Sequence, residues 1–295
     1  MMIQGASLTA QAAALVRARD TRRTPAHRLV DDPFAARFLE HGRSWFTVLG
    51  GVGGVVARAV DLALRLPILG PAGMVLARHR IIDDHLRAEA LAGASQCVIL
   101  GAGLDARAYR FPPPVGPATY FEVDHPAQIE RKRFLVAATL GAPAPHVRYC
   151  GVDFGREPLS DRLLDQGFDP ARRTVFIWEG VTYYLAGEAV RATLAMVRQL
   201  SAPGSTIVLD AWTRVAGGRG VLDAMARGPL RAMTAAVSEP MSFFLEGEDG
   251  ADRLLSEAGF RPLFVFDGDA LTAELRTRRR LLAVPAYMRL AAASA

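Results

Sequence analysis

A largely parallel sheet covered by helices, an α/β fold, is what this sequence predicts, and three observations predict it. From Ser95 onward, short runs rich in Val, Ile and Phe alternate with helical patterns, the rhythm of strands joined by crossover helices. Several of those runs end in a glycine or a carboxylate, which is how the ligand edge of an open α/β sheet reads. The chain has 295 residues, 51% of them hydrophobic, enough to bury one large core, so a single elaborated domain over residues 1–295 is expected.

The strand candidates are residues 97–101, 119–124, 146–151, 174–179, 205–210, 262–267 and 281–289, and seven strands fit one sheet. No convincing helix separates the last two, with Gly268 and Asp269 in the gap, so they are expected to pair antiparallel at one side of the sheet. About ninety residues ahead of the first strand read as helices. Asp31, Asp32 and Pro33 mark a helix start leading into Phe34–Leu39, and glycines 50, 51, 53 and 54 mark a break. A second insertion, roughly 213–248, carries Gly217, Gly218, Gly220 and a Met/Phe-bearing stretch. Both segments are placed as a cap over the carboxyl edge of the sheet.

Composition narrows the partners. The formal charge is +5, but Lys132 is the only lysine and the arginines are scattered among acidic neighbours, which argues against a nucleic-acid stripe. The one dense basic run, Arg276, Arg278, Arg279 and Arg280, reads as a solvated turn. Cys97 and Cys150 fall in or beside buried strands and define no disulfide framework. The N-terminus shows no signal-like segment, and the longest apolar stretch, 45–57, is interrupted by Arg58 and Asp61 before it could span a bilayer. A soluble, cytoplasmic protein with no membrane or nucleic-acid partner is expected. No metal site is expected, and the oligomeric state stays open, a homodimer included.

The chemistry concentrates after the strands. Val98-Ile-Leu-Gly101-Ala-Gly103-Leu-Asp105 is an apolar strand entering a G-x-G turn, where glycine lets the backbone turn sharply and approach a ligand. The next strand ends in Asp124, 21 residues beyond Gly103, where a carboxylate can accept from ribose hydroxyls; a helix N-cap is the plainer role. Asp153 and Glu179 end two further strands, so four consecutive strands aim polar groups at one crevice. A dinucleotide site would carry a third glycine for the pyrophosphate. Here the turn continues Leu104-Asp105-Ala-Arg107, and Asp105 would repel phosphate, so a cofactor without phosphate fits better.

Three runs carry a family resemblance: Ile99-Leu-Gly-Ala-Gly-Leu-Asp-Ala-Arg-Ala-Tyr-Arg110, Phe121-Glu-Val-Asp-His-Pro126 and Trp178-Glu-Gly-Val-Thr-Tyr-Tyr-Leu185. Together they resemble the leucine carboxyl methyltransferase family, in particular its bacterial O-methyltransferase branch linked to polyketide-type metabolism. The resemblance begins near Ala10, takes in Asp32-Pro33 and Ala77-Arg78, and weakens after Trp212. It implies a Rossmann-like class I methyltransferase with S-adenosylmethionine as cofactor, divided into a helical cap (1–94), a cofactor-binding half (95–212), a lid insertion (213–248) and a C-terminal strand pair (249–295).

The resemblance further implies that Gly101 and Gly103 pass under the methionine part of the cofactor, with Asp105 and His125 also among the cofactor-binding residues. Asp124 would hold the ribose, and Asp153 with Phe154 would border the adenine. Glu179 would lie near the cofactor amino group and the transfer site, and Arg17 and Arg78 would hold its carboxylate through their planar forks. Tyr183 and Tyr184 could face the acceptor. None of the histidines at 27, 41, 79, 85, 125 and 146 stands where a general base is expected; His79 and His125 read as structural. The implied acceptor is an oxygen of a small, largely apolar molecule, a carboxylate before a hydroxyl, with Met225, Met233, Met241, Phe243 and Phe244 forming an apolar lid or packing on the sheet. Two other readings share the crevice: a protein that binds the cofactor without transferring methyl, and an NAD-dependent oxidoreductase.

Overall fold

A computed structural model describes residues 8–42, 71–152, 158–214, 241–278 and 282–295. Five strands alternate with helices in the order the apolar runs suggest. They are β1 (Gln96–Leu100), β2 (Thr119–Asp124), β3 (Val147–Gly151), β4 (Thr174–Trp178) and β5 (Thr206–Arg214). Three more follow, β6 (Leu245–Glu246), β7 (Arg261–Asp267) and β8 (Met288–Ser294). The sheet runs β3-β2-β1-β4-β5-β8-β7, with β6 paired to the end of β5. All described pairings are parallel except those of β8, which runs antiparallel to both β5 and β7. The order reverses between β1 and β4, and that switch point opens a crevice beyond the strand ends.

Alternation along the strands sorts the core into two layers. Cys97 and Ile99 face one side of the sheet and Val98 and Leu100 the other. On the first side lie α1 (Leu8–Thr21), α2 (Pro33–His41), α3 (Pro71–Leu91), α5 (Pro126–Leu140) and α9 (Gly268–Thr277). The short helix α4 (Arg107–Arg110) joins them. On the second side lie α6 (Leu159–Asp165), α7 (Gly187–Gln199) and α8 (Gly250–Glu257), whose Leu163, Leu194 and Leu254 meet Phe121, Phe176 and Trp178.

Helix α2 starts as its sequence suggests. Asp32 caps it by accepting from the Phe34 and Ala35 amides at 3.2 and 3.0 Å, and Pro33 occupies the first turn. The C-terminal region departs from expectation. Gly268 and Asp269 open helix α9 instead of bridging two strands, because Asp267 accepts from the Ala270 amide at 2.7 Å and Leu271 and Leu275 bury one helical face. The last strand accordingly lies at Met288–Ser294, not at 281–289. Its run of alanines lacks β-branching, yet it is buried within the sheet between β5 and β7, where small side chains pack. The glycine break at 50–54 and Met225 and Met233 lie outside the described residues. Among those described, no helix is long and apolar enough to cross a membrane.

Candidate cofactor site

The crevice at the switch point holds a cavity of about 370 Å³. Gly101 and Gly103 form its floor with φ of +72° and +37°, conformations that glycine adopts without steric cost. The turn is pinned to the next strand by hydrogen bonds from the Gly101 and Ala102 amides to the Val123 carbonyl at 2.8 and 2.9 Å. A Cβ on Gly101 would come within 2.4 Å of Val181, whereas one on Gly103 would meet nothing nearer than 3.8 Å. The backbone at Gly103 is therefore open to a ligand.

Asp124 faces this turn. One of its oxygens accepts from the Gly103 amide at 2.8 Å and the other from the His125 amide at 2.7 Å. Burial raises its pKa, against the lowering effect of those two amides. Each oxygen keeps acceptor capacity for a ligand hydroxyl. The cap of α5 is His125, not Asp124: its Nδ1 accepts from the Ala127 amide at 3.3 Å. Asp105 lines the cavity too, but its carboxylate holds the Arg107 amide at 2.8 Å and the Arg107 guanidinium at 2.5 Å.

Helix α1 closes one side with Thr9, Ala13 and Arg17, spaced four residues apart on one face. Arg17 donates to Asp32 at 2.8 Å and to the Leu104 carbonyl at 2.7 Å, tying α1 to α2 and to the glycine turn. Across the cavity Arg78 of α3 donates to Glu179 at 2.9 Å, Asp210 at 2.7 Å and Tyr183 Oη at 3.3 Å. Among the described residues its Nη2 has no hydrogen-bond acceptor and lies against Gly180. Glu179 also receives Arg107 at 2.7 Å and lies 3.1 Å from His79 Nδ1. Burial would raise the Glu179 pKa, but Arg107, His79 and Arg78 hold it well below the usual carboxylate range.

Five residues of this network went unread in the sequence as site residues: His79, Asp83, Arg107, Arg110 and Asp210. Asp210 had a readable signal, since it ends the apolar run 205–210 as the other carboxylates end theirs, although β5 itself continues to Arg214. His79 had little: its hydrogen-bond partners are 28 to 100 residues away, and only Asp83, 3.9 Å off on the next turn of α3, is local. Burial pushes its imidazole pKa below the ordinary range, with Arg107 adding to the effect. With the proton on Nδ1 the ring donates to Glu179 and accepts at Nε2 from Arg110 at 2.9 Å, whereas Arg107 Nη2, 2.7 Å from Nδ1, is served by the opposite tautomer.

Tyr183 and Tyr184 both line the cavity from a short 3₁₀ turn, and Tyr183 packs on Trp212 with ring centroids 5.0 Å apart. Burial drives the Tyr183 hydroxyl pKa well above its usual value. Of the two readings for the Met/Phe stretch, a lid or packing on the sheet, Phe243 follows the second, lying in the core of the second layer against Gly187, while Met241 and Phe244 pack against the first layer. Asp153 and Phe154 lie outside the described residues. Among the described residues no cluster of His, Cys, Asp and Glu could hold a metal ion.

Comparison with known proteins gives this crevice its context. A candidate S-adenosyl-L-methionine-dependent methyltransferase of Parafrankia sp. (strain EAN1pec) is 35% identical over 210 residues, 70% of this chain and 63% of that protein. A second, from Mycolicibacterium smegmatis, is 38% identical over 191 residues, and the match spans 59% of its length. A third, from Mycobacterium avium (strain 104), is 33% identical over 256 residues, 86% of this chain and 82% of its own. The fold matches the crystal structure of a candidate methyltransferase from Thermobifida fusca YX, with a TM-score of 0.57 and 17% identity over 98% of this chain and 95% of that one. A DUF574 protein from Streptomyces avermitilis matches with a TM-score of 0.52 and 15% identity, over 99% of both chains. The model of the leucine carboxyl methyltransferase family matches residues 10–198, most of the helical region and the sheet through α7. The chain belongs to the leucine carboxyl methyltransferase family, whose members are S-adenosylmethionine-dependent methyltransferases.

Proposed function

We propose that this protein transfers a methyl group from S-adenosylmethionine to an oxygen of a small, largely apolar acceptor, a carboxylate ahead of a hydroxyl. The observation that carries the reading is one cavity whose wall joins an open glycine turn, the Asp124 carboxylate and the Arg78–Glu179 pair. Its volume suits a small-molecule ligand. When bound, the cofactor supplies an activated methyl group on sulfur. The chain's own residues supply position and electrostatics.

In this reading Gly101 and Gly103 admit the amino-acid arm of the cofactor, and Asp124 accepts from its ribose. The Nη2 of Arg78, which has no acceptor among the described residues, would face its carboxylate, and Glu179 would accept from its ammonium. Arg17 contributes mainly by fixing the wall, since Asp32 and the Leu104 carbonyl take two of its donors. Tyr183 and Tyr184 present aromatic surface to the acceptor.

The state of the titratable groups favours an acid acceptor. Glu179 is a weak base because three cations or donors stabilise its anion, and His79 engages both ring nitrogens. A carboxylate is already ionised at neutral pH and needs no base, whereas an alcohol does. A polyketide-type acid is the acceptor class we favour, from the branch that the motifs resemble. Buried, unpaired Cys97 and Cys150 suit a reducing cytoplasm. The test is a panel of aromatic and polyketide acids with labelled cofactor, followed by mild alkali. An ester releases the label and supports the reading; an alkali-stable product replaces it with ether formation, and no turnover on any acid removes the preference for a carboxylate.

A further inference from the structure

The sole lysine, Lys132, lies in α5 with its side chain 1% exposed, directly beneath the glycine turn. Its ammonium donates to the Asp105 carbonyl at 2.5 Å, the last residue of that turn. On the other side it sits 3.2 Å from Glu122 Oε1, an electrostatic approach without hydrogen-bond alignment. The rings of Phe38 and Tyr109 flank it at 5.8 and 5.9 Å. Glu122 occupies the middle of β2, opposite Ile99 of β1 and Tyr149 of β3, and is fully buried.

A buried ion pair between β2 and α5 is a costly way to fill space, since an apolar pair of similar volume is often neutral or stabilising there. This pair has an external target: the carbonyl that ends the turn against which the cofactor would rest. We propose that Lys132 is a positioning residue for the 101–105 turn, with Glu122 as its anchor, so that cofactor affinity depends on the charged pair. The inference rests on the cofactor reading above and adds residues that do not line the cavity.

The surroundings of Glu122 make the pair sensitive to pH. Lys132 faces it from α5, Tyr109 from α4 at 3.4 Å, Tyr149 from β3, Asp105 from the turn and Cys97 from β1. Burial pushes the Glu122 pKa up to about 7, Lys132 opposes the rise and Asp105 adds to it. Protonating Glu122 as pH falls through neutrality releases the anchor on Lys132, and the turn loosens. Cofactor affinity should then decline on the acid side.

The test is calorimetry with S-adenosylhomocysteine from pH 6 to 8.5 on the full chain, alongside thermal unfolding. Glu122→Gln keeps the volume of the anchor and removes its titration; Lys132→Met/Glu122→Gln removes both charges together. The wild type should lose roughly threefold in affinity toward pH 6, Glu122→Gln should lack that step, and the double variant should bind about tenfold more weakly across the range. Contributions common to all variants drop out of the comparison. If the folded double variant binds as the wild type does, or if Glu122→Gln keeps the wild-type profile, the pair is structural only and the inference is overturned. If the double variant does not fold, the Glu122→Gln profile decides alone. Wild type that fails to bind at any pH would instead overturn the cofactor reading.

Discussion

Replacing Arg78 by alanine separates ligand binding from structural support, because in the proposed site this one guanidinium would serve both. It holds Glu179 and Asp210, with side chains 10% and 0% exposed, at 2.9 and 2.7 Å. Stranding a buried ionic partner costs about 3–5 kcal/mol. Glu179 keeps Arg107 and Asp210 keeps the Gly180 amide at 2.6 Å, which places the loss near the lower end, about 3 kcal/mol. At about 2–4 °C per kcal/mol for a chain of this size, the melting temperature should fall by roughly 6–12 °C. If the variant is folded at the assay temperature, the binding effect remains measurable. Losing a charge-assisted hydrogen bond to the cofactor carboxylate weakens S-adenosylhomocysteine by about 1.5–3 kcal/mol, roughly 10- to 150-fold. 5′-Methylthioadenosine, which lacks the amino-acid tail, should change by less than about twofold. Calorimetry with both ligands on folded variant decides. Equal losses for the two ligands would refute a carboxylate contact and leave Arg78 as a strut for the buried carboxylates.

Other perturbations test separate parts of the account. Asp124→Ala should weaken S-adenosylhomocysteine by about 1.5–3 kcal/mol in calorimetry; an unchanged dissociation constant in folded protein would remove Asp124 from the site. Gly101→Ala should cost about 1–2 kcal/mol for its left-handed φ of +72°, and more for the 2.4 Å approach to Val181, so both melting temperature and cofactor affinity should fall. A variant that melted and bound as the wild type would show that the turn tolerates a side chain. Asp83 should govern part of the acid limb of stability. Although burial raises its pKa, Arg110, His79 and Arg107 bring it down from 3.8 to about 2. The folded value lies below the unfolded one, so its contribution of about 2 kcal/mol is present above pH 4 and lost as pH falls toward 2. Denaturant titrations of Asp83→Asn should show a flatter stability profile between pH 4 and 2; a profile parallel to the wild type would contradict the assignment.

How much of this was legible in the sequence depended on whether the signal was local. The glycine turn, Asp124 and Glu179 could be read because each stands at the end of an apolar strand, and the strand itself points to the ligand edge. Arg78 and Tyr183 required the family resemblance, for neither stands at a strand end. The His79–Arg107–Asp83 network could not be read at all, because its geometry is created by α3 crossing the glycine turn. The C-terminal strand was misplaced for a physical reason. The alanines at 291–293 carry no β-branched signal, and their burial between β5 and β7 is a tertiary fact. Helix α9 was missed because Gly268 and Asp269 look like a turn, while the packing of Leu271 and Leu275 decides for a helix.

The central claim is that the crevice at the β1/β4 switch point takes S-adenosylmethionine and not a dinucleotide. Calorimetry on the wild-type chain with S-adenosylhomocysteine and, separately, NAD tests it most directly, with Gly101→Ala as the site control. S-Adenosylhomocysteine should bind, the Gly101 substitution should weaken it, and NAD should give no measurable heat. Micromolar NAD binding with no response to S-adenosylhomocysteine would contradict that claim.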